Sequence, residues 1–380
     1  MDLVSGSNNS FSLDLFRTLS RAQPGQNLFI SPLSISSAMA MVYQGARGDT
    51  AAQMAQALSF TPGQDVHGGF QSLNSQIRAT SSSCTLKLAN RLFGERSLGF
   101  LPEFLDSTQK FYQAELKPLD FMGAAEESRA EINGWVEQQT ESKIQELLQP
   151  GAITPTTRLA LVNALYFKGD WMWRFGAADT REMPFHSPKD GTKPVQMMHQ
   201  VKKMPYNYVP ELELQVLELP YQSQELSMFV LLPEKSSNGS DPLLKVQDAL
   251  TPEKLEEWTS REAMDAGAEV HVHLPRFRLE DQHELKEPLA QLGMRHLFCA
   301  DTADLSGICG QGGLFLSTVV HKTLVEVNEE GSEAVGASAA VASFCMLREE
   351  HFMADHPFLF FIKHHQSKAV LFMGRFSSPQ

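Results

Sequence analysis

Residues 329–344 read EEGSEAVGASAAVASF, and this stretch fits neither the helical nor the strand patterns that the rest of the chain displays. If it is read with a period of two, positions 332, 334, 336, 338, 340 and 342 share one face and hold only Ser, Ala and Gly. A strand with one uniformly small face could slide into a gap in an existing sheet without steric conflict. A flexible, Ala-rich surface loop is the other interpretation, and the residues alone leave both open.

The chain on the N-terminal side of this segment begins with helical patterns. Phe11, Leu15 and Leu19 recur four residues apart after a Ser–Asn cluster suited to an N-cap. Pro32 then opens a run to Gln44 that is apolar nearly all round, which predicts a buried helix. A further amphipathic helix is indicated by Ile132, Trp135, Val136 and Ile144.

After about residue 159 the pattern changes to strands. Residues 159–167 and 226–232 are apolar runs, residues 212–216 and 270–274 alternate with period two, and residues 357–362 and 369–372 predict two C-terminal strands. Helices first and strands later, without strict alternation, favour an α+β fold with large mixed sheets. No linker-like stretch divides the 380 residues, so we expect a single domain over residues 1–380.

Charge and cysteine content narrow the class of protein. The formal net charge of −13 argues against nucleic acid as a partner, and no helix carries a dense Lys/Arg stripe for a heparin-like polyanion. The four cysteines are irregularly spaced, so we expect free thiols and a reducing compartment. Residues 1–9 lack a basic region followed by an apolar core, so no secretory signal is predicted.

Four groups of residues resemble the serpin family, in the family's order along the chain. They are HKTLVEVNEEGSEA from residue 321, NLFISPLSISSA from residue 27 with GARGDT from residue 45, LVNALYFKGDW from residue 161, and ADHPFLFFI from residue 354 with GRF from residue 374. Within the family, the chain is similar to the intracellular, ovalbumin-like clade. The resemblance implies helices packed on three β-sheets, with an exposed reactive-centre loop at about residues 329–353.

The same resemblance implies a protease inhibitor rather than an enzyme. In such a mechanism a serine protease attacks the loop and forms an acyl-enzyme, and the freed loop inserts into the main sheet as a new strand. The hinge that leads into the loop would consist of Glu329, Glu330, Gly331, Ser332, Glu333 and Ala334. Gly331 gives this hinge backbone freedom, and a charge at Ser332 would oppose insertion because burying a charge is costly.

The attacked bond is expected at Cys345–Met346. Family inhibitors usually place it seventeen residues from the first Glu of the hinge, and the count from Glu329 ends at Cys345. Cleavage after Phe344, Met346 or Leu347 is the alternative. All of these residues are medium-sized and apolar, which suits proteases of the elastase and chymotrypsin type.

The resemblance also implies a group of residues that control the opening of the sheet. Ser31, Asn163 and His321 match the family's buried polar cluster, Glu329 and Arg276 match a charge pair at the top of the sheet, and Trp171 matches the aromatic residue there. Ordinary core packing explains any one of these residues alone, so the interpretation depends on their joint occurrence.

Motifs for enzyme chemistry are missing from the sequence. There is no GxSxG elbow, phosphate-binding Gly loop or HExxH motif, and we expect no cofactor. The pairs His271/His273 and His364/His365 lack a third ligand at a persuasive spacing, so no metal site is predicted.

Three alternatives to a serine protease inhibitor stay open at this point. They are an inhibitor of cysteine proteases, a non-inhibitory serpin with a binding or chaperone role, and an intracellular scaffold. The small residues between Ser332 and Ala342 argue against the non-inhibitory form. We expect a monomer without membrane contact, located in the cytoplasm, with release from the cell by an unconventional route left open.

Overall fold

The first helices bury the apolar residues that predicted them. In the computed structural model, which describes residues 3–79, 84–235, 241–330 and 349–379, Phe11 and Leu15 are fully buried. Within these ranges the helices are α1 (Leu3–Ala22), α2 (Pro32–Tyr43), α3 (Gly48–Ala57), α4 (Val66–Ala79), α5 (Pro102–Tyr112), α6 (Ala125–Gln139), α7 (Pro242–Ala249), α8 (Pro252–Trp258) and α9 (Lys286–Gln291). No helix among the described residues is long and apolar enough to cross a membrane.

The Ser–Asn cluster that predicted an N-cap lies inside α1 instead. The helix begins at Leu3, and Asn8 and Asn9 donate from their side-chain amides to the backbone oxygens of Val370 (3.0 Å) and Lys368 (2.9 Å). These long-range partners satisfy the polar side chains, so they do not compete with the helical backbone. Ile144 was also expected within α6, but it lies beyond the end of that helix at Gln139.

The strands are β1 (Leu28–Ile30), β2 (Cys84–Glu95), β3 (Leu116–Leu119), β4 (Leu159–Gly169), β5 (Arg181–Ser187), β6 (Gly191–Lys203), β7 (Tyr206–Val209), β8 (Leu214–Pro220), β9 (Leu226–Pro233), β10 (Glu269–Pro275), β11 (Phe277–Glu284), β12 (Leu316–Val327), β13 (Glu349–Met353), β14 (Phe358–His364) and β15 (Val370–Phe376). The predicted runs correspond to β4, β8, β9, β10, β14 and β15. The expectation that strands begin only after about residue 159 was wrong, because β1, β2 and β3 precede that residue.

Three sheets result. A five-stranded sheet has the order β11-β12-β4-β2-β3, a six-stranded sheet has the order β1-β15-β14-β9-β8-β7, and a four-stranded sheet has the order β13-β10-β6-β5. The α+β expectation with three sheets is confirmed. The expected loop at residues 329–353 extends too far, because residues 349–353 form β13 at the edge of the four-stranded sheet.

Two hydrophobic clusters cover the five-stranded sheet. The larger contains Leu161, Leu165 and Phe167 of β4, whereas Ala160 and Val162 of the same strand belong to a smaller cluster with α6. Every residue of β4 except Lys168 is buried. The segment after α6 is also hydrogen-bonded to β11 and β12, through Gln282 Nε2 to the Leu147 oxygen (2.8 Å) and Lys322 Nζ to the Gln145 oxygen (3.2 Å).

Candidate functional site

The seam between β12 and β4 is the centre of the five-stranded sheet. The two strands are parallel neighbours, with His321 opposite Asn163 and Glu326 opposite Lys168. Parallel strands cannot be joined by a short turn, so β4 and β12 come from distant parts of the chain. β12 runs directly toward residues 329–330, where the predicted hinge begins.

A buried polar cluster, defined as Ser31, Ser34, Asn163 and His321, bridges this seam and the N-terminus of α2. His321 Nδ1 lies 2.6 Å from Asn163 Oδ1, and Ser31 donates its backbone N–H to His321 Nε2 at 3.1 Å. Asn163 Nδ2 donates to Ser34 Oγ, and Ser31 Oγ donates to the Leu371 oxygen at 2.8 Å. The cluster therefore joins the five-stranded sheet, α2 and the six-stranded sheet.

The hydrogen bonds assign the tautomer of His321. Because Nε2 accepts from a backbone N–H, the ring proton is on Nδ1, which donates to Asn163 Oδ1. Burial, with a smaller contribution from nearby His283, holds the pKa of His321 well below its ordinary value. The imidazole is therefore neutral, and the cluster contains no charge at neutral pH.

A second group, the hinge-end cluster, consists of Lys168, Trp171, Arg276, Glu329 and Glu330. The indole of Trp171 is 3% exposed and stacks on Tyr221, with ring centroids 4.7 Å apart and an angle of 9° between the planes. Its Nε1–H donates to the Asn328 oxygen at 2.8 Å, and its backbone N–H donates to the Glu330 oxygen at 3.4 Å. Trp171 thus holds the backbone on both sides of Glu329.

Charges fix the two glutamates of this cluster. Glu329 Oε1 accepts from Thr180 Oγ1 at 2.8 Å and lies 3.8 Å from the Arg276 guanidinium. Glu330 forms an ion pair with Lys168, and the hydrogen bond and charge of this lysine lower the pKa of Glu330. The side chain of Glu329 is 17% exposed and that of Glu330 is 59% exposed. The more buried glutamate therefore has a neutral hydrogen-bond donor in addition to a cation.

The structure divides the predicted sheet-opening residues into two groups. Ser31, Asn163 and His321 meet at mid-strand, whereas Trp171, Arg276 and Glu329 meet beyond the end of β12. His321 and Val327 are six positions apart on β12, which corresponds to about 20 Å along a strand. The remaining predicted residues lie outside the described ranges: Gly331, Ser332, Glu333, Ala334, Phe344, Cys345, Met346 and Leu347.

Sequence reasoning missed two members of these clusters, Ser34 and Lys168, and two of their hydrogen-bond partners, Thr180 and Asn328. Signals existed for two of them. Ser34 lies one helical turn after Ser31, and Lys168 belongs to the same apolar strand as Asn163, where an isolated cation is conspicuous. Thr180 lies in an irregular segment that carries no pattern, so only the folded structure brings it to Glu329.

Comparison with known proteins gives one consistent family. The family model described as "Serpin (serine protease inhibitor)" matches residues 6–379. The chain is a serpin. This serpin is 54% identical to the leukocyte elastase inhibitor of Bos taurus and 53% identical to that of Homo sapiens, in each case over 100% of both chains.

Solved structures agree with this assignment. Uncleaved ovalbumin superimposes on the serpin with a TM-score of 0.92 at 37% identity, covering 99% of this chain and 100% of the other. Maspin superimposes with a TM-score of 0.93 at 36% identity, covering 100% of this chain and 99% of the other. The resemblance to the ovalbumin-like clade is thereby confirmed, and the chain is a member of a protease inhibitor family rather than an enzyme.

Proposed function

We propose that this serpin inhibits serine proteases of the elastase and chymotrypsin type as a suicide substrate. Its family is that of the serine protease inhibitors, and two relatives that are 54% and 53% identical to it are named leukocyte elastase inhibitors. The proposal assigns protease inhibition to this chain and adds that the inhibitor forms a covalent complex with the protease.

The parallel pairing of β12 with β4 carries the proposal. A segment that follows β12 and reverses direction would run antiparallel to both strands. It could therefore form hydrogen bonds on both of its edges if β12 and β4 separated. The uniformly small face between Ser332 and Ala342 suits such a strand, because its side chains would meet a sheet that is buried on both faces.

Insertion would supply the free energy that deforms the protease. One ladder between β12 and β4 would be broken and two would be formed, a net gain of roughly ten hydrogen bonds at about 0.5–1.5 kcal/mol each. The total of about 5–15 kcal/mol is comparable to the whole stability of an ordinary domain. The uncleaved inhibitor is accordingly metastable with respect to the inserted form.

The bond proposed for attack is Cys345–Met346. The serine Oγ of the protease would form an ester with the carbonyl carbon of Cys345 as the peptide bond breaks, and Met346 would leave with a free amino group that takes the serine proton. The new strand would then carry the ester-linked protease with it, in a complex of one inhibitor with one protease.

The test mixes the purified protein separately with neutrophil elastase and chymotrypsin. Denaturing gels should show a band at the summed mass that survives boiling, and mass spectrometry should find a released peptide beginning at Met346. Cleavage in the loop without a stable complex would identify a substrate and contradict the proposal. A released peptide that begins elsewhere would keep the mechanism and relocate the bond.

A pair of variants separates insertion from recognition. Ser332→Arg places a charge on the small face, so loop cleavage should continue while trapping is lost. Glu333→Arg is the matched control, because position 333 lies on the opposite face in the period-two pattern and should retain trapping. Equal trapping by both variants would contradict insertion in this register.

A further inference from the structure

Glu269, His271 and Glu349 form a group on one face of the four-stranded sheet, whereas the β12–β4 seam belongs to the five-stranded sheet. Glu269 and His271 are two residues apart on β10, so their side chains share a face. Glu349 is the first residue of β13, and it lies directly opposite Glu269 in the parallel pairing of these strands. We call these three residues the acid–histidine triad.

The donor atoms of the triad converge. One imidazole nitrogen and one oxygen from each carboxylate all lie within 4.8 Å of one another. Glu269 and His271 are half-buried, whereas Glu349 is exposed. Within the described parts of the chain, none of the three side chains has a hydrogen bond or an ion pair with a protein group.

Electrostatics make this arrangement unfavourable without a cation. Like charges directly opposite one another on neighbouring strands destabilise a sheet, and Glu269 and Glu349 are such a pair. Lys203 of β6 lies opposite Glu269 on its other side, but no ion pair forms between them. A divalent cation between the two carboxylates would convert this repulsion into attraction.

We propose that the acid–histidine triad binds Zn²⁺. One imidazole and two carboxylates are ligands that zinc accepts, at about 2.0–2.2 Å, with a water molecule completing a tetrahedral site. Such ligands lie ~3.4 Å apart, so the donor atoms need to approach by about 1 Å, which small rotations of the exposed Glu349 side chain and of the half-buried Glu269 side chain would provide. Ca²⁺ and Mg²⁺ prefer oxygen-only sites, so the imidazole favours zinc over them.

The zinc site would fasten β13 to β10. β13 is a strand of five residues whose one partner among the described strands is β10, and it follows in sequence the segment that holds the proposed reactive bond. Two ligands come from β10 and one from β13, so binding requires the two strands to be in register. Zinc would thus stabilise the folded protein by mass action and fix the C-terminal end of the loop. This role is independent of the proposed trapping mechanism.

Three further histidines on the same sheet define the main competing site. The ring of His351 lies 4.7 Å from that of His271, and the ring of His199 lies 4.4 Å from that of His273. His199 and His273 are directly opposite residues of β6 and β10. Zinc held by the pair His199 and His273 would need neither glutamate, so substitutions distinguish the two sites.

The experiment is a calorimetric titration of the full-length, metal-free protein with ZnCl₂ at neutral pH, after alkylation of the thiols. Alkylation matters because Cys299 is exposed and its pKa is lowered, chiefly by a hydrogen bond with Thr302, so it would otherwise bind zinc. We expect one site per chain, and zinc should raise the midpoint of thermal unfolding. CaCl₂ and MgCl₂ should give no comparable binding.

Variants assign the ligands. Glu349→Gln and His271→Gln should each weaken zinc binding by at least ~10–100-fold, the range seen for loss of an outer-shell partner alone. Glu182→Gln and His186→Gln, which change exposed residues of β5 in the same sheet, should leave the affinity unchanged. Circular dichroism checks that each variant is folded, and an amide in place of the exposed Glu349 keeps the side-chain shape.

Three outcomes would overturn the proposal. They are the absence of zinc binding after alkylation, equal affinity of Glu349→Gln and the wild-type protein, and loss of binding in His199→Gln or His273→Gln but not in Glu349→Gln. Failure of the proteolysis experiment above would leave this test unaffected, because the titration involves no protease.

Discussion

The middle of the β12–β4 seam and its hinge end are held by different chemistry. At mid-strand, the buried polar cluster is neutral and His321 is fully buried. Beyond the end of β12, the hinge-end cluster combines a buried indole with ion pairs that face solvent, and the Arg276 side chain is 52% exposed. Both groups connect the same two strands or their extensions.

The difference indicates where resistance to opening is located. Buried neutral hydrogen bonds are costly to leave unmade, because a separated donor or acceptor has no water to replace its partner. Exposed ion pairs are worth much less, because water and salt compensate for their loss. We infer that the contacts of the hinge-end cluster can break first. The strands β12 and β4 then stay paired until the hydrogen bonds of the buried polar cluster break as well.

The largest effect is expected from His321→Leu. This change leaves the Ser31 N–H and the Asn163 amide oxygen without partners in a buried position, at about 1–3 kcal/mol each. The free energy of unfolding should fall by about 2–6 kcal/mol, measured as the shift of the urea unfolding transition. His321→Gln can still donate and accept, and should recover part of the loss. If His321→Leu were as stable as the wild-type protein, the buried polar cluster would not be the main barrier to separating β12 from β4.

The pH dependence of stability should also originate at mid-strand. Because the pKa of His321 is lowered in the folded protein, the unfolded chain binds an additional proton below its ordinary value of 6.5. This contribution to stability is complete above that pH and is lost as the pH falls, at about 1.4 kcal/mol per pH unit. Urea midpoints between pH 7 and pH 5 should therefore decline more steeply for the wild-type protein than for His321→Gln.

The contribution of the hinge-end cluster to the free energy of unfolding should not change between pH 7 and pH 5. The pKa of Glu330 is lowered, so its contribution is present above its ordinary value of 4.5 and disappears only as the pH falls further. A Lys168→Met variant should accordingly retain the wild-type slope between pH 7 and pH 5. A flattened slope in this variant would show that the two clusters are coupled.

Trp171→Phe should have a smaller effect. The phenyl ring can still stack on Tyr221, but the hydrogen bond from Nε1 to the Asn328 oxygen is lost. We expect a loss of about 1–2 kcal/mol in the free energy of unfolding, and faster trapping if hinge release limits the rate. The half-buried Trp173, changed to Phe, is the control. A loss as large as that of His321→Leu would contradict the weaker contribution assigned to the hinge-end cluster.

The smallest effect is expected from Arg276→Ala. Its guanidinium lies 3.8 Å from Glu329, which keeps its hydrogen bond from Thr180 in the variant. Exposed pairs of this kind contribute about 0–1 kcal/mol. Thermal unfolding at low and high salt should differ little between the variant and the wild-type protein, with Arg278→Ala as a matched exposed arginine. A loss above about 2 kcal/mol would indicate a structural role for Arg276 beyond the pair.

Local sequence patterns predicted the helices and strands whose form follows from the apolar residues within the element itself. The apolar run from Pro32 gives α2, and the run from Leu159 gives β4, because both elements are buried on all sides. The polar start of α1 could not be predicted, because Asn8 and Asn9 are satisfied by the C-terminal hairpin more than 350 residues away. β2 was missed because seven of its twelve residues are half-buried or exposed, which weakens the apolar signal.

The site shows the same limit. Family motifs identified Ser31, Asn163, His321, Trp171 and Arg276, but not their separation into two clusters, which depends on the β12–β4 register. The convergence of the acid–histidine triad was missed for the same reason. His271 was considered with His273 as its partner, whereas the converging donors are Glu269 on its own strand and Glu349 on a strand 80 positions later.

The hydrogen bonds that tie residues 145–147 to Gln282 and Lys322 have a consequence for detecting the inserted state. The same segment packs through Leu147 and Leu148 against the hydrophobic cluster that includes β4, so it spans the seam. A new strand would move the two halves of the sheet apart by ~4.8 Å, and the segment cannot keep both attachments. Its backbone amides should then exchange with deuterium faster, which makes residues 144–148 a built-in reporter of insertion.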